Sequence, residues 1–307
     1  MEHFLDISDH SSEELQELLD LAVRLKKEYF TGGNPPLFKG KTLGMIFQKP
    51  SLRTRVSFDM AMRHMEGDAL YLSPSEIGLG QRESIADVAR VLSGYVQILM
   101  ARVFAHAHVL ELAKWASIPV INGLSDFSHP CQAMADALTI QEKFGKSKGL
   151  NVTYVGDGNN VAVSLMQISV KLGWNFTIGN PSGYGMPAGP IEAAEIVAKK
   201  TGSKLAFRSD PHEAVRKAQV IYTDTWTSMG QEEETAKREK VFPPYQVNAS
   251  LVSEADKEVI VMHCLLAHRN HELTDEVADG THSVIFPQAH NRLHAQKAIL
   301  ARLLKVA

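Results

Sequence analysis

The segment from Ser51 to Arg55 (Ser-Leu-Arg-Thr-Arg) places two hydroxyl and two guanidinium groups at a predicted junction between a strand and a helix. The apolar run from Thr42 to Phe47 predicts a buried strand before it, and residues 56–65 carry apolar side chains at helical spacing after it. Backbone N–H groups at a helix start bind anions, and arginine geometry suits phosphate. The segment therefore predicts a site for a phosphorylated or carboxylated ligand. The alternative is that Ser51 is only a helix cap and both arginines are solvated.

Further polar residues follow predicted strands along the chain. In open parallel sheets, ligands bind beyond the carboxyl ends of the strands, so these residues are candidates for one site. They are Arg102, His129 and Gln132 in the first half, and Asn160, Asp224, Ser228 and Cys264 in the second. Each has a structural alternative: Arg102 in a surface ion pair, His129 at a helix start without a ligand, Asp224 as a loop cap, and Cys264 as a small buried hydrophobe.

The turn from Gly156 to Asn160 resembles the start of a dinucleotide-binding fingerprint, because two glycines follow a predicted strand. The third glycine position is Val161, and no acidic residue ends the next strand. We therefore expect no nicotinamide cofactor, and no cofactor of any other kind. The two cysteines lack zinc-type spacing, and we interpret His290 and His294 as structural, so we also expect no metal.

Composition excludes several classes of protein. The 307 residues carry a formal net charge of −3, which gives no reason to expect a nucleic-acid partner. There is no apolar run of roughly 18 residues, so we expect no membrane span. The first ten residues lack the basic start and apolar segment of a signal peptide. With only two cysteines, the chain suits a reducing compartment, and we expect a cytoplasmic location.

Strand and helix patterns alternate along the chain, which predicts an α/β protein with two parallel-sheet domains that have helices on both faces. The glycines of segment 145–149 mark the predicted boundary, giving domains 1–145 and 149–290. We expect the C-terminal helix, 291–307, to pack back on the first domain. Segment 73–81 is predicted as a loop, and 284–286 as a last short strand.

Five motifs, in order and with matching spacing, give the chain a resemblance to the ornithine carbamoyltransferases of the aspartate/ornithine carbamoyltransferase superfamily. The resemblance covers nearly the whole sequence. The motifs are Ser51 to Arg55, His129-Pro130-Cys131-Gln132, Asp224 with Ser228-Met229-Gly230, His263-Cys264-Leu265, and Asn291-Arg292-Leu293.

The resemblance implies transfer of the carbamoyl group from carbamoyl phosphate to the δ-amino group of L-ornithine, giving L-citrulline and phosphate in arginine metabolism. It also implies a homotrimer or a higher multiple of trimers. Arg102, His129 and Cys264 are the implied catalytic residues. The implied carbamoyl phosphate contacts are Ser51, Leu52, Arg53, Thr54, Arg102, His129, Gln132, Cys264, Leu265 and Arg292. The implied ornithine contacts are Asn160, Asp224, Ser228 and Met229.

Three positions depart from the family pattern, which usually has threonine at Leu52, proline at Leu266 and, in many members, glutamine at Gly78. Two other functions stay open at this point. The acceptor could be another amine, such as aspartate, putrescine or an acylated ornithine. Alternatively, the chain could be a non-catalytic module that binds a phosphate ligand on the same fold.

Overall fold

The computed structural model describes residues 1–227 and 231–306. The chain forms two compact units: Met1–Leu138 together with His290–Ala307, and Thr139–Ala289. In the part of the chain that is described, no helix is long and apolar enough to cross a membrane.

The described residues contain nine strands and thirteen α-helices. The strands are β1 (Thr42–Phe47), β2 (Asp68–Leu72), β3 (Ile98–Arg102), β4 (Val120–Leu124), β5 (Asn151–Val155), β6 (Asn175–Gly179), β7 (Leu205–Arg208), β8 (Val220–Thr223) and β9 (Ile260–His263). The helices are α1 (Ser12–Thr31), α2 (Leu52–Arg63), α3 (Pro74–Ile77), α4 (Ile85–Ser93), α5 (His106–Trp115), α6 (Pro130–Phe144), α7 (Asn160–Lys171), α8 (Ala188–Thr201), α9 (Pro211–Val215), α10 (Thr235–Val241), α11 (Ala249–Ser253), α12 (Asp275–Ala278) and α13 (Ile285–Leu303).

The sheet of the first unit has the strand order β2-β1-β3-β4, and all its pairs are parallel. Phe47 at the end of β1 pairs with Arg102 at the end of β3, so the segment that follows β1 starts beside Arg102. Residues 131–140 of α6 are buried all round, as expected of a helix inside a core. The last turns of α13 add buried apolar side chains, including Ile299 and Leu300, to this unit.

The sheet of the second unit has the order β7-β6-β5-β8-β9 and is also parallel throughout. The stacked rings of Tyr154 and Tyr222 lie 5.8 Å apart in its core. Gly158 follows β5 in a tight turn, where a Cβ atom would collide with the backbone of Gly185 and Met186. A side chain at this position would therefore force the two backbone segments apart.

The fold prediction is confirmed: two parallel sheets are covered by helices, and the C-terminal helix packs into the first unit. The predicted strand at 284–286 is wrong, because Ile285 begins α13 and only Ser283 makes an isolated bridge, to Val261. A three-residue apolar run does not distinguish a strand from a buried helix start. Segment 73–81 also holds a short helix, α3, which ends at Gly78 in the left-handed conformation.

Candidate functional site

The start of α2 forms a network of hydroxyl and guanidinium groups. The Ser51 hydroxyl accepts a hydrogen bond from the Thr54 backbone N–H (3.4 Å), so Ser51 is a helix cap. The buried Thr54 hydroxyl accepts hydrogen bonds from Ser51 Oγ (3.2 Å) and Arg292 Nη2 (3.0 Å). Because both bonds use its lone pairs, the Thr54 proton is available for a ligand. The network links the start of α2 to a residue 238 positions away in the sequence.

His129 lies among three arginines of the first unit. Burial lowers the pKa of the imidazole well below its usual value, and the charges of Arg292, Arg102 and Arg53 lower this pKa further. The imidazole is therefore neutral near pH 7, with one nitrogen that donates and one that accepts. The structure thus brings together four side chains that the sequence analysis had placed at separate strand ends and motifs.

Gln132 lies three residues further on, in the first turns of α6. Its Nε2 group donates to Asp136 Oδ1 at 2.8 Å, and both side chains are buried. Within the described residues, Gln132 Oε1 is buried and makes no hydrogen bond. Asp136 belongs to none of the sequence motifs, and the pattern of α6 alone does not single it out.

Two residues of the segment from Ser51 to Arg55, Leu52 and Arg55, have exposed side chains. The Arg55 guanidinium lies 4.1 Å from the ring centroid of Tyr71, in β2, and the Arg55 side chain is exposed. Leu52 is 75% exposed, so its side chain adds no buried contact and only its backbone is suited to binding a ligand. Of the two arginines in the segment, Arg53 is the one whose charge acts on His129.

In the second unit, the carboxylate of Asp224 is held at both oxygens. Cys264 Sγ donates to Oδ1 at 3.1 Å, and Asn159 Nδ2 donates to Oδ2 at 2.9 Å. Asn159 Oδ1 caps α7 by accepting the N–H groups of Val161 and Ala162, which fixes the orientation of this amide. The sequence analysis chose the neighbouring Asn160, which is the first residue of α7. The signal that identifies Asn159 is the preference for asparagine directly before a helix.

A second buried carboxylate, Asp157, follows β5 in the same unit. It forms an ion pair of 2.9 Å with Arg238, which also donates to the carbonyl of Trp226 at 2.8 Å. Burial raises the pKa of Asp157 to about 6; the nearby charges of Asp224 and Glu234 add to this rise, while Arg238 opposes it. The second unit therefore carries two buried carboxylates at its strand ends.

Asp224, His263 and Cys264 offer ligand atoms within 4.8 Å of one another, which is the geometry of a possible metal site. Both ring nitrogens of His263 already have partners, however: Nδ1 accepts the N–H of Leu265 (2.8 Å), and Nε2 lies 3.0 Å from Glu272 Oε1. A metal ion would have to displace one of these bonds.

Leu265 has a left-handed conformation, and its peptide bond to Leu266 is cis. Ser228 and Met229, which the sequence analysis assigned to ornithine binding, lie outside the described residues.

Two family descriptions match the chain. The "carbamoyl-P binding domain" of aspartate/ornithine carbamoyltransferase matches residues 2–142, and the "Asp/Orn binding domain" of the same family matches residues 148–303. Together they cover both sets of polar side chains.

Relatives match along nearly the full length. The ornithine carbamoyltransferase of Pyrococcus abyssi is 53% identical over 300 residues, which cover 98% of this chain and 95% of the relative. A protein of Pyrococcus furiosus named "Ornithine carbamoyltransferase, anabolic" is 52% identical over 300 residues, with the same two coverages. A solved structure of ornithine carbamoyltransferase from Pyrococcus furiosus has a TM-score of 0.96 at 52% identity, covering 99% of this chain and 97% of that one.

Proposed function

The chain belongs to the aspartate/ornithine carbamoyltransferase family, and from this membership we propose that it transfers the carbamoyl group of carbamoyl phosphate to the δ-amino group of L-ornithine. The products are L-citrulline and phosphate. The observation that carries the proposal is the 53% identity, over 98% of the chain, to a relative named ornithine carbamoyltransferase. The word "anabolic" in the name of a second relative supports a biosynthetic role in arginine metabolism.

We assign carbamoyl phosphate to the first unit, that is to domain 1–145 with the returning helix 291–307. Ser51, Arg53, Thr54 and the backbone of Leu52 bind the phosphate group, and Arg292 binds over it. The buried hydrogen bond from Arg292 to Thr54 supports this assignment because it fixes the guanidinium beside the start of α2, where phosphate binding is favoured.

The reaction places negative charge on the carbonyl oxygen of the carbamoyl group when the amine attacks. Arg102, His129 and the Thr54 hydroxyl are the donors that we assign to this oxygen. His129 acts as a neutral donor, because burial and the three arginines keep its pKa low. Gln132 binds the carbamoyl amide, and Cys264 and Leu265 contact the carbamoyl nitrogen and the incoming amine.

We assign ornithine to domain 149–290. Asp224, held by Cys264 and Asn159, binds the α-amino group, and Asn160, Ser228 and Met229 complete the ornithine contacts. The δ-amine has a reference pKa of about 10.4 and attacks only when neutral. Arginine charges near the reacting carbon favour this neutral form. The departing phosphate is basic enough to take the proton of the amine, so the mechanism uses no separate protein base.

The assembly that we propose is a homotrimer or a multiple of trimers. An exposed apolar stripe on α2 supports it: Leu52, Val56 and Met60 recur at intervals of four and are 75%, 48% and 36% exposed. Such a stripe is a typical interaction surface. Light scattering should give at least three chains per particle, and Val56→Glu should lower that number. A wild-type monomer contradicts the proposal.

The location that we propose is the cytoplasm. Cys131 and Cys264 are both buried and free, which suits a reducing compartment. Fractionation of cells that produce the untagged protein, with the activity assayed in each fraction, tests this location.

Product analysis tests the function. The purified protein is incubated with carbamoyl phosphate and, separately, L-ornithine, aspartate, putrescine and N-acetyl-ornithine. Citrulline formed only with L-ornithine is the expected result, and a carbamoylated product from another amine instead would change the acceptor. Binding of carbamoyl phosphate without any product would favour a non-catalytic module. A bisubstrate analogue that joins a phosphonate to ornithine should also raise the melting temperature.

A further inference from the structure

Asp136 is a carboxylate in the interior of the first unit, in the middle of a helix that is buried on all sides. It is 1% exposed, as is Gln132, whose Nε2 lies 2.8 Å from Asp136 Oδ1. A buried carboxylate is costly unless its surroundings compensate the charge. The contact matters because Gln132 is the residue to which we assign the carbamoyl amide.

The hydrogen-bonding chemistry determines which end of the Gln132 amide points where. An ionised carboxylate only accepts hydrogen bonds, so the amide end that faces Asp136 is the NH₂ group. The carbonyl end, Oε1, must then point away from Asp136. Within the described residues, Oε1 is buried and receives no hydrogen bond from the protein. A buried acceptor in this state favours a ligand that brings an N–H donor.

We propose that Asp136 is a positioning residue that fixes the amide of Gln132 with Oε1 toward the substrate, so that the site selects a carbamoyl group over an acyl group. A carbamoyl NH₂ donates a hydrogen bond to Oε1, whereas the methyl group of an acetyl phosphate cannot. This inference rests on the proposed function, because it needs carbamoyl phosphate in the first unit. It adds a basis for selecting the donor substrate and a residue outside the sequence motifs.

The chain contains a matched control for this arrangement. Gln16 and Asp20 in α1 make the same contact at the same spacing, with Gln16 Nε2 2.9 Å from Asp20 Oδ1, on an exposed helix face. Water can satisfy either end of the amide there, so the exposed pair selects no ligand. A substitution of Asp20 therefore removes the same glutamine–aspartate hydrogen bond at a position outside the proposed site.

The experiment measures the dissociation constants of two probes by titration calorimetry. Phosphonoacetamide carries the NH₂ group, and acetonylphosphonate carries a methyl group in its place. The wild type should prefer the amide by about tenfold, the typical effect of one buried hydrogen bond. Asp136→Leu should reduce the preference to less than about twofold, while acetonylphosphonate binding changes little. Asp136→Asn should give an intermediate preference, because asparagine allows both orientations of Gln132. Asp20→Asn should keep the wild-type preference.

The outcomes separate the two proposals. If the wild type binds neither probe, the proposed function fails and the positioning role fails with it. If the wild type prefers the amide and Asp136→Asn retains the full preference, only the positioning role of Asp136 is overturned. A loss of affinity for both probes to the same extent indicates a merely structural effect and also overturns it. Asparagine has nearly the same shape as aspartate, so Asp136→Asn should fold. The proposal can therefore still be tested if Asp136→Leu does not fold.

Discussion

In the first unit, a buried histidine is influenced by three guanidinium groups, which come from the end of β3, the start of α2 and helix α13. In the second unit, the carboxyl ends of the strands carry two buried carboxylates. Burial, together with the charges of these arginines, lowers the pKa of His129 and keeps the imidazole neutral. In the second set, burial and mutual repulsion raise the pKa of Asp157 to about 6. The two sets have opposite sign, which fits the substrates that we propose for them: an anionic phosphate donor for the first unit and the cationic α-amino group of an amino acid for the second.

The cationic groups of the first unit and the carboxylates of the second should contribute to catalysis in different ways. Cationic groups near a reacting carbonyl stabilise charge that develops only in the transition state, so they act mainly on kcat. A carboxylate that holds the α-amino group binds the ground state and the transition state alike, so it acts mainly on KM. Substitutions in the two units should therefore give different kinetic patterns.

The largest effect is expected for Arg102→Leu. Loss of one donor to a developing oxyanion typically lowers kcat by about 10²–10³-fold. Arg55→Leu is the matched control, because the Arg55 guanidinium lies over Tyr71 in β2 and its loss should change kcat little. The test is to measure steady-state kinetics of both variants and to verify their fold by circular dichroism. Near-normal turnover in the Arg102 variant would remove this residue from the mechanism.

The next effect is expected for Asp224→Asn, which removes the negative charge held by Cys264 and Asn159. The KM for ornithine should rise by about 10–100-fold, and the KM for carbamoyl phosphate should stay close to the wild-type value. Asp210→Asn provides the control, since Asp210 is an exposed helix cap of the same unit. Equal changes in both KM values would contradict the assignment of ornithine to the second unit and carbamoyl phosphate to the first.

A smaller effect is expected for Thr54→Val, which leaves the buried Arg292 Nη2 without its hydroxyl acceptor. The KM for carbamoyl phosphate should rise by about tenfold, with little change in the KM for ornithine. The kcat should also fall, because the Thr54 hydroxyl is one of the donors that we assign to the carbonyl oxygen. Ser57→Ala removes a nearby hydroxyl of the same helix, which donates to the Thr54 carbonyl, and should have little effect. An unchanged KM in Thr54→Val would show that this network does not support phosphate binding.

The smallest effect is a pH dependence of stability with opposite sign in the two units. In the first unit, burial and the nearby Lys297, Lys26, His64 and His290 lower the pKa of His294 to about 3. The unfolded chain binds this proton at about pH 6.5, so the contribution of His294 to stability is complete above that pH and is lost as the pH falls toward 3. The raised pKa of Asp157 acts in the other direction, because the folded state keeps its proton between about pH 4 and 6.

Melting temperatures of the wild type, His294→Gln and Asp157→Asn at pH 7.5 and 5 measure these contributions. The stability of the wild type relative to His294→Gln should decrease at pH 5, and its stability relative to Asp157→Asn should increase, each by about 3 °C. Changes of the same sign in both comparisons would disprove the contrast between the units.

Much of the fold could be predicted from sequence, because buried parallel strands are continuous apolar runs bounded by turns. The apolar run from Thr42 to Phe47 coincides with β1, and the alternating strand and helix patterns correspond to the two parallel sheets. Four short helices, α3, α10, α11 and α12, were not predicted, because segments of four to seven residues show too little periodicity. The false strand at 284–286 has the same cause, since Val-Ile-Phe suits either structure.

The candidate site was less predictable from local pattern. Patterns place His129 and Arg102 at helix and strand ends, whereas the role of Arg292 came from family resemblance alone. Its contact with Thr54 joins residues 238 apart, and no local pattern predicts it. The contact of Asn159 with Asp224 was not predicted, because the exact start of α7, which makes Asn159 the helix cap, cannot be read from two consecutive asparagines. Asp136 could not be identified, since a polar residue in a helical pattern ordinarily indicates a solvated face.

Helix α13 begins among residues of the second unit and ends as part of the first. The first unit therefore needs chain segments from both ends of the sequence, and the ribosome completes the second unit before it synthesises residues 290–307. The usual order, in which N-terminal domains fold first during synthesis, is reversed here for the final packing step. Until that helix emerges, the apolar surface that Ile299 and Leu300 cover in the first unit stays exposed to solvent.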